Sequence, residues 1–304
     1  MSAGDPLPTR TLDRCPACGS GSLARLPLRY EHRGTFPAVR CRGCGLRFLR
    51  VQPAGEGLAG LYAADYFERD FRCGRSASDY FSEEAFRAEN AGLLDAFAAL
   101  RPPGRLLEVG CAGGWLLKHA AERGWQVRGV ELSAAAVAHA RGLGLEVFHG
   151  DLAAAALPPG AFDLVYMGDV LEHVPDCRAT LLEVARVLAP GGQLYLRGPI
   201  TTHSLARRAG LAFYGALGRD IVLREPPYHL WEFTPGPLGR LVRGAGFEDV
   251  RMRQSKIPPG RPHGEKSVLQ RAAMLVLDAV NVSLTRAFGV LGDRIVLTAR
   301  RRAG

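Results

Sequence analysis

A ten-residue stretch, R-L-L-E-V-G-C-A-G-G at 105–114, constrains the fold of this chain more than any other. It begins as an apolar run typical of a buried strand, with the carboxylate of Glu108 near its end. A tight turn follows, and its small residues let the backbone approach a ligand closely: Gly110, Ala112 and Gly114. The helix after such a turn directs its free N–H groups at that ligand. A second predicted strand ends in Glu131, so the sequence predicts a ligand site flanked by two carboxylates.

Strands and helices alternate from residue 106 to residue 197. The predicted strands are short apolar runs at 106–109, 127–131, 145–149, 162–167 and 193–197. This alternation is typical of a doubly wound α/β fold with a mostly parallel sheet. Parallel strands of this kind bind ligands outside their carboxyl ends, so we expect the site at that edge of the sheet.

Two other ligands are compatible with a glycine-rich turn after a strand, and both fit less well here. A dinucleotide fold favours G-x-G-x-x-G after an apolar strand end, whereas a carboxylate precedes the first glycine of this turn. A phosphate-binding P-loop requires Gly-Lys-Ser or Gly-Lys-Thr, which does not follow. The carboxylate favours a ligand with a cationic amino group, and the remaining alternative is an ordinary tight turn.

Four cysteines near the N-terminus form two Cys-x-x-Cys pairs, C-P-A-C-G and C-R-G-C-G, separated by 22 residues. Each pair can place two thiolates on one metal, and the glycine after it permits the sharp turn of a knuckle. We therefore predict a zinc ribbon with a structural Zn²⁺, iron being the second choice. Its ligands would be Cys15, Cys18, Cys41 and Cys44. Four reduced structural cysteines are the alternative.

Composition predicts a soluble, cytoplasmic protein with basic ends. Hydrophobic residues make up 47% of the chain, no apolar run is long enough to span a bilayer, and the N-terminus lacks a secretory apolar segment. Residues 1–50 carry nine arginines and three acids, and residues 240–304 carry thirteen basic and five acidic residues. We expect a ribbon at 1–52, a connector with a helix at 53–100, a cofactor-binding core at 101–199, and a substrate-side cap with closing strands at 200–304.

The chain resembles the class I S-adenosylmethionine-dependent methyltransferases over residues 83–253. The resemblance rests on L-L-E-V-G-C-A-G-G, on F-D-L-V-Y-M-G-D-V-L-E-H-V-P-D at 162–176, on A-P-G-G-Q-L-Y-L at 189–196 and on the segment 233–247. Ala112 departs from the family's commonest glycine. The resemblance implies a Rossmann-like, mostly parallel seven-stranded sheet, here preceded by a small zinc ribbon and followed by a helical cap in the C-terminal third.

The resemblance also implies residues for S-adenosyl-L-methionine. Glu108 would lie near the methionine amino group, and the backbone at 110–114 would wrap the cofactor. Glu131 would accept hydrogen bonds from both ribose hydroxyls. The remaining implied residues lie near the adenine or shape the cofactor edge: Leu132, Asp151, Leu152 and Asp169. A turn or cap aspartate is the alternative interpretation of Asp151.

Methyl transfer to a hydroxyl requires a base as well as alignment of the acceptor. His173, directly after the fourth strand, is the first candidate, and a histidine that only orders the backbone is its alternative. His229, in P-P-Y-H-L-W, is second and His203 third. The segment 267–292 is amphipathic, and we expect a lid packed over the sheet rather than a helix making weak peripheral contact with a membrane surface.

We therefore expect methyl transfer to a small or medium acceptor, such as a sugar, a glycan precursor or a secondary metabolite, with O-methylation ahead of N- or C-methylation. An RNA methyltransferase that uses the ribbon and the basic ends is the less favoured enzymatic alternative. The alternative outside the enzymes is a non-catalytic zinc-ribbon scaffold with a vestigial cofactor site.

Overall fold

The structure is a computed structural model that describes residues 5–61, 81–256 and 279–303. Its strands are β1 (Thr9–Thr11), β2 (Leu23–Glu31), β3 (Thr35–Cys41), β4 (Arg47–Leu49), β5 (Val51–Pro53), β6 (Arg105–Val109), β7 (Gln126–Glu131), β8 (Val147–His149), β9 (Phe162–Gly168), β10 (Leu188–Pro199), β11 (Ile221–Leu223), β12 (Trp231–Glu232), β13 (Phe247–Ser255) and β14 (Arg294–Arg301). Its helices are α1 (Glu56–Leu61), α2 (Glu83–Asn90), α3 (Leu93–Leu100), α4 (Trp115–Glu122), α5 (Ala134–Gly142), α6 (Cys177–Val187), α7 (Leu205–Ala216), α8 (Pro235–Gly244) and α9, residues 279–288.

The central sheet has seven strands in the order β13-β14-β10-β9-β6-β7-β8. Strands β6 to β10 pair in parallel, whereas β14 pairs antiparallel with β10 and β13. The predicted Rossmann-like, mostly parallel sheet is therefore confirmed. Because β6, β7 and β9 run in the same direction, their carboxyl ends place Glu108, Glu131 and Asp169 at one edge.

A second sheet combines the N-terminal segment with strands from far along the chain. Its order is β11-β2-β3-β4-β12, so the hairpin of β2 and β3 is flanked by strands from residues 221–232. Phe48 and Trp231 face each other across β4 and β12, with ring centroids 5.9 Å apart, and both are almost fully buried. They belong to the same apolar cluster as Leu107 and Leu196 of the central sheet. The N-terminal segment is thus packed onto the core rather than attached by a free linker.

The helix expected in the connector at 53–100 is divided in two near its C-terminal end. Ser82 caps the first of these helices, its hydroxyl accepting a hydrogen bond from the N–H of Ala85 at 3.3 Å. The helix ends at Asn90, and Gly92 adopts the left-handed conformation, with φ of 79°. This conformation is open to glycine at little cost, so the chain turns here and a second helix begins at Leu93.

The amphipathic segment predicted at 267–292 lies partly outside the described residues. In the described part, α9 buries the polar residues Asn281 and Thr285, whereas Val280 and Phe288 are exposed. The expectation that the apolar residues of this segment pack over the sheet is wrong for Val280 and Phe288. The physical reason is a polar contact: the side-chain oxygen of Asn281 accepts a hydrogen bond from the N–H of Leu205, at the start of α7. Within the described ranges, no helix combines the length and apolar character that a membrane span needs.

Candidate active site

The turn between β6 and α4 leaves no room for larger side chains. Gly110 has φ of 74°, and a Cβ there would lie 2.4 Å from Cγ2 of Val170. Gly114 has φ of 85°, and a Cβ there would lie 2.7 Å from Leu145. Ala112 also adopts a positive φ, of 46°, which L-residues with a Cβ adopt only at a cost of about 1–2 kcal/mol. The alanine that replaces the commonest glycine is therefore tolerated in the turn, but in a strained conformation.

Glu131 joins this turn to the next one. Its Oε2 accepts a hydrogen bond from the N–H of Ala112, and its Oε1 accepts one from the N–H of Ser133, each at 2.9 Å. The residue is 9% exposed, and burial raises the pKa of its carboxyl although the backbone N–H groups oppose the rise. A carboxylate oxygen can accept more than one hydrogen bond, so the group retains capacity for a ligand hydroxyl.

Glu108 is a buried carboxylate at the foot of the same turn. Its Oε2 is buried and has no hydrogen-bond partner among the described residues. Burial raises the pKa of Glu108 well above its ordinary value, with Glu131 adding to the rise and Arg197 opposing it. An unsatisfied buried carboxyl is costly, and a cationic amino group would satisfy it. The residues at this turn therefore fit a ligand that combines an ammonium group with ribose hydroxyls.

The other predicted cofactor residues line the same cleft. Leu132 is 55% exposed, and Leu152 is buried. Asp151 accepts a hydrogen bond from the N–H of Ala154 at 2.7 Å, so it caps a turn as its alternative interpretation expected, while it also lines the cleft. Asp169 adopts a positive φ, of 55°, and forms an ion pair with Arg294 of β14.

The cleft has a volume of about 1590 Å³ and extends beyond the turn. One end is the glycine turn with Glu108 and Glu131. The other end reaches the second sheet, where polar residues lie in the wall beside leucines. These polar residues are Tyr30, Thr202, Arg207, Glu225 and Glu232. The side chain of Tyr30 donates a hydrogen bond to Glu232 at 3.1 Å, and both residues are buried. The cleft therefore has space for a second ligand beside an adenosyl cofactor.

The two histidines predicted as catalytic candidates lie next to each other between these ends. The rings of His173 and His229 have centroids 4.9 Å apart, at 72° to each other. Nε2 of His173 lies 3.6 Å from Oε1 of Glu172, which is 2% exposed. His203, in contrast, lines a separate small cavity and not the cleft.

Hydrogen bonds hold the segment that carries His229 against residues 172–174, which follow β9 in the chain. Nδ1 of His173 lies 3.0 Å from the carbonyl oxygen of Tyr228, and the N–H of Leu230 donates to the carbonyl of Glu172 at 2.9 Å. The indole N–H of Trp231 donates to the carbonyl of Val174 at 2.7 Å. Because a carbonyl only accepts, the contact assigns the proton to Nδ1 of His173 and leaves Nε2 as the basic nitrogen of the neutral ring.

Comparison with known proteins agrees with this geometry. A family described as "Methyltransferase domain" matches residues 81–252, more than half of the chain. The chain is a class I S-adenosylmethionine-dependent methyltransferase. It is 32% identical to a ubiquinone biosynthesis O-methyltransferase of Ralstonia nicotianae over 166 residues, covering 51% of this chain and 67% of that one. For the protein of the same name from Cupriavidus pinatubonensis, identity is 30% over 173 residues, covering 53% and 67%.

A solved SAM-dependent methyltransferase of Archaeoglobus fulgidus shares the fold, with a TM-score of 0.51 and 19% identity. The superposition covers 79% of this methyltransferase and 100% of that chain. The matched family region begins at residue 81 and therefore leaves out the four-cysteine segment.

The four predicted metal ligands of this methyltransferase lie together. The sulfur atoms of Cys15 and Cys44 are 3.5 Å apart, those of Cys18 and Cys41 are 3.6 Å apart, and all four lie within 4.8 Å of one another. A tetrahedral zinc ion with Zn–S bonds of about 2.3 Å needs sulfur atoms about 3.8 Å apart, so the four thiols fit it. Burial opposes ionisation of Cys41, but N–H groups of the knuckle and the thiol of Cys18 outweigh it and lower its pKa to about 7.

Sequence reasoning did not single out two charged residues of this methyltransferase. Glu172 directly precedes His173 in the L-E-H triplet of the sequence. Their being neighbours in the chain does not indicate, however, that the carboxylate is buried and faces the histidine. Arg197 lies on β10, donates to the side-chain oxygen of Asn90 at 2.8 Å and opposes the raised pKa of Glu108. The position of Arg197 relative to Glu108 depends on the order of strands in the sheet and not on a local sequence pattern.

Proposed function

We propose that this methyltransferase methylates a hydroxyl group of a small or medium polar acceptor, and that His173 is the general base. The observation that carries the proposal is the cluster of His173, His229 and buried Glu172 between the glycine turn and the polar end of the cleft. Relatives named O-methyltransferases support oxygen as the acceptor atom.

His173 is oriented for proton removal. Its Nδ1–H donates to the Tyr228 carbonyl, which leaves Nε2 to take the acceptor proton as the new O–CH₃ bond forms. The Glu172 carboxylate, 3.6 Å from Nε2, then stabilises the imidazolium. When bound, the methyl donor supplies an electrophilic methyl group and leaves as an uncharged thioether. The remaining task of the chain is to align the two reactants and exclude water.

The polar wall supports an acceptor with several hydroxyl groups. Tyr30, Glu225 and Glu232 supply acceptors or donors, and Arg207 supplies a cation. Such a wall can bind a sugar, a glycan precursor or a hydroxylated secondary metabolite through several hydrogen bonds. An apolar acceptor could form none of these hydrogen bonds.

The test uses methyl-labelled S-adenosylmethionine, fractionated metabolites and the variant His173→Asn. Asparagine retains a donor for the Tyr228 carbonyl but lacks the nitrogen that takes the proton. We expect label on an oxygen of the product and a kcat lowered about 10²–10⁴-fold in the variant, with unchanged donor affinity. Mass spectrometry identifies the labelled atom. Label on nitrogen or carbon, or an unchanged kcat in the variant, contradicts the proposal.

A further inference from the structure

A second, smaller cavity lies beside the acceptor end of the cleft, where β4, α7 and the start of α8 meet. Its volume is about 320 Å³. Its lining combines three cationic or basic side chains with small polar or neutral residues: Arg47, His203, Arg208, Thr234, Pro235, Gly236 and Gln254. The lining includes no carboxylate. The cavity is therefore electropositive.

The basic side chains of this cavity are not neutralised by ion pairs. In the part of the chain that the structure describes, Arg47 donates from Nη1 to the carbonyl of Thr202 at 2.8 Å, and its buried Nε has no partner. Neither Arg47, His203 nor Arg208 forms an ion pair with a described residue. Burial lowers the pKa of Arg47, with Arg40 and Arg208 adding to this effect and Glu232 opposing it. Burial of the His203 imidazole, together with the positive charges of Arg208 and Arg47, lowers the pKa of His203.

Thr234 adds a hydroxyl to the same cavity. It is 8% exposed and begins α8, yet its side chain does not cap that helix. No described residue forms a hydrogen bond with this hydroxyl. Gly236 lies in the first turn of α8, between two prolines, and its own N–H has no carbonyl partner within the helix. A Cβ at Gly236 would meet only Nη1 of Arg240, at 3.8 Å, so the backbone is open to the cavity.

We propose that this cavity binds a phosphate group. Phosphate offers several acceptor oxygens and close to two negative charges, which match two arginine side chains, a hydroxyl and an N–H group better than a single carboxylate does. A cation is disfavoured by the arginines, and an apolar ligand would leave the charged groups without partners.

The cavity adjoins the acceptor end of the cleft. Thr202 and Arg207 line the cleft, whereas their chain neighbours His203 and Arg208 line the cavity. A phosphate held here would lie within reach of a molecule in the cleft. The group is either part of a phosphorylated organic molecule or free phosphate, and both use the same recognition chemistry. Arg47 comes from β4, directly after the second cysteine pair, so the N-terminal sheet contributes to the site.

Calorimetric titration of the full chain with inorganic phosphate, with uridine diphosphate and with glucose tests the site. The test variant is Arg208→Gln. Arg243→Gln is the control, because it removes the same charge from an exposed position outside the cavity, in the last turn of α8. We expect the wild type to bind both phosphate compounds and not glucose, with affinity at least tenfold lower in Arg208→Gln and unchanged in Arg243→Gln.

Two results would overturn the proposal: no binding by the wild type beyond that in sodium chloride of equal ionic strength, or equal weakening in both variants. Tighter binding of uridine diphosphate than of phosphate supports the site and assigns it to an organic phosphate, whereas equal affinities support it as a site for free phosphate. Binding of S-adenosylmethionine, measured in parallel, is expected to be the same in all three proteins. The proposal of a phosphate site and the proposal of O-methylation are therefore tested independently of each other.

Discussion

Replacement of Cys41 by serine is expected to remove zinc from the protein and to lower its stability by several kcal/mol. The four sulfur atoms fit a tetrahedral ion, and we propose that zinc occupies the cluster as a structural metal. Structural zinc sites bind with apparent free energies of about 10–16 kcal/mol in small peptides, which is folding free energy where no site exists in the unfolded chain. A serine hydroxyl is a poor replacement for a thiolate, so the site would lose both geometry and charge.

The effect of this replacement should extend to the active site. β4 follows the second cysteine pair and pairs with β12, which begins two residues after His229. A loosened β4 would release Trp231, and with it the segment that places His229 beside His173. We therefore expect methyl transfer to fall together with zinc content.

Zinc content by atomic emission and unfolding by circular dichroism test this prediction. Cys177→Ala is the matched control, because Cys177 is a buried thiol outside the cluster. It should retain one zinc ion per chain. Loss of folding in Cys41→Ser with full retention of zinc would contradict the assignment of the four cysteines as zinc ligands.

The second large effect is expected from Glu131→Ala, which should weaken binding of S-adenosylmethionine by at least 100-fold, or about 2.7 kcal/mol. The substitution removes the proposed acceptor for the ribose hydroxyls. It also leaves the N–H groups of Ala112 and Ser133 without their acceptor, so the turn that surrounds the cofactor loses its shape.

Equilibrium dialysis with labelled cofactor measures this loss, and Glu146→Ala is the control. Glu146 precedes β8, at the end of that strand away from Glu131, and its exposed side chain forms an ion pair with Arg128 on the surface. Surface pairs of this kind contribute little, so we expect the control to bind the cofactor as the wild type does. Equal affinity in Glu131→Ala and the wild type would show that the cofactor site is assigned to the wrong residues.

The sequence was sufficient to predict the fold around the glycine turn, because local patterns determine it. The strand, the turn and the next carboxylate lie within 27 residues of one another, from 105 to 131, and parallel strands place their ends together. The two cysteine pairs can likewise be recognised from their Cys-x-x-Cys spacing alone. Each of these features depends on neighbouring residues and on simple rules of sheet geometry.

The acceptor half could not be predicted in this way. His173 and His229 are separated by 55 intervening residues, and they meet because the backbone of Tyr228 and Leu230 forms hydrogen bonds with His173 and Glu172, after β9. The five-stranded sheet joins residues 23–49 to residues 221–232, and no periodic pattern in either segment indicates the other. Long-range pairing of short strands is the part of the fold that depends on tertiary packing.

Calorimetric titration of S-adenosylmethionine in two buffers of different ionisation enthalpy tests whether Glu108 receives the amino group of the cofactor. Burial raises the pKa of Glu108 well above 4.5, so between that ordinary value and the raised one its carboxyl holds a proton in the free protein. A cationic amino group beside it favours the ionised form, and binding should release that proton. We predict one cofactor per chain with release of up to one proton in the wild type, and no such release in Glu108→Gln. Absence of binding, or the same proton release in Glu108→Gln, would show that Glu108 does not bind the cofactor in this way.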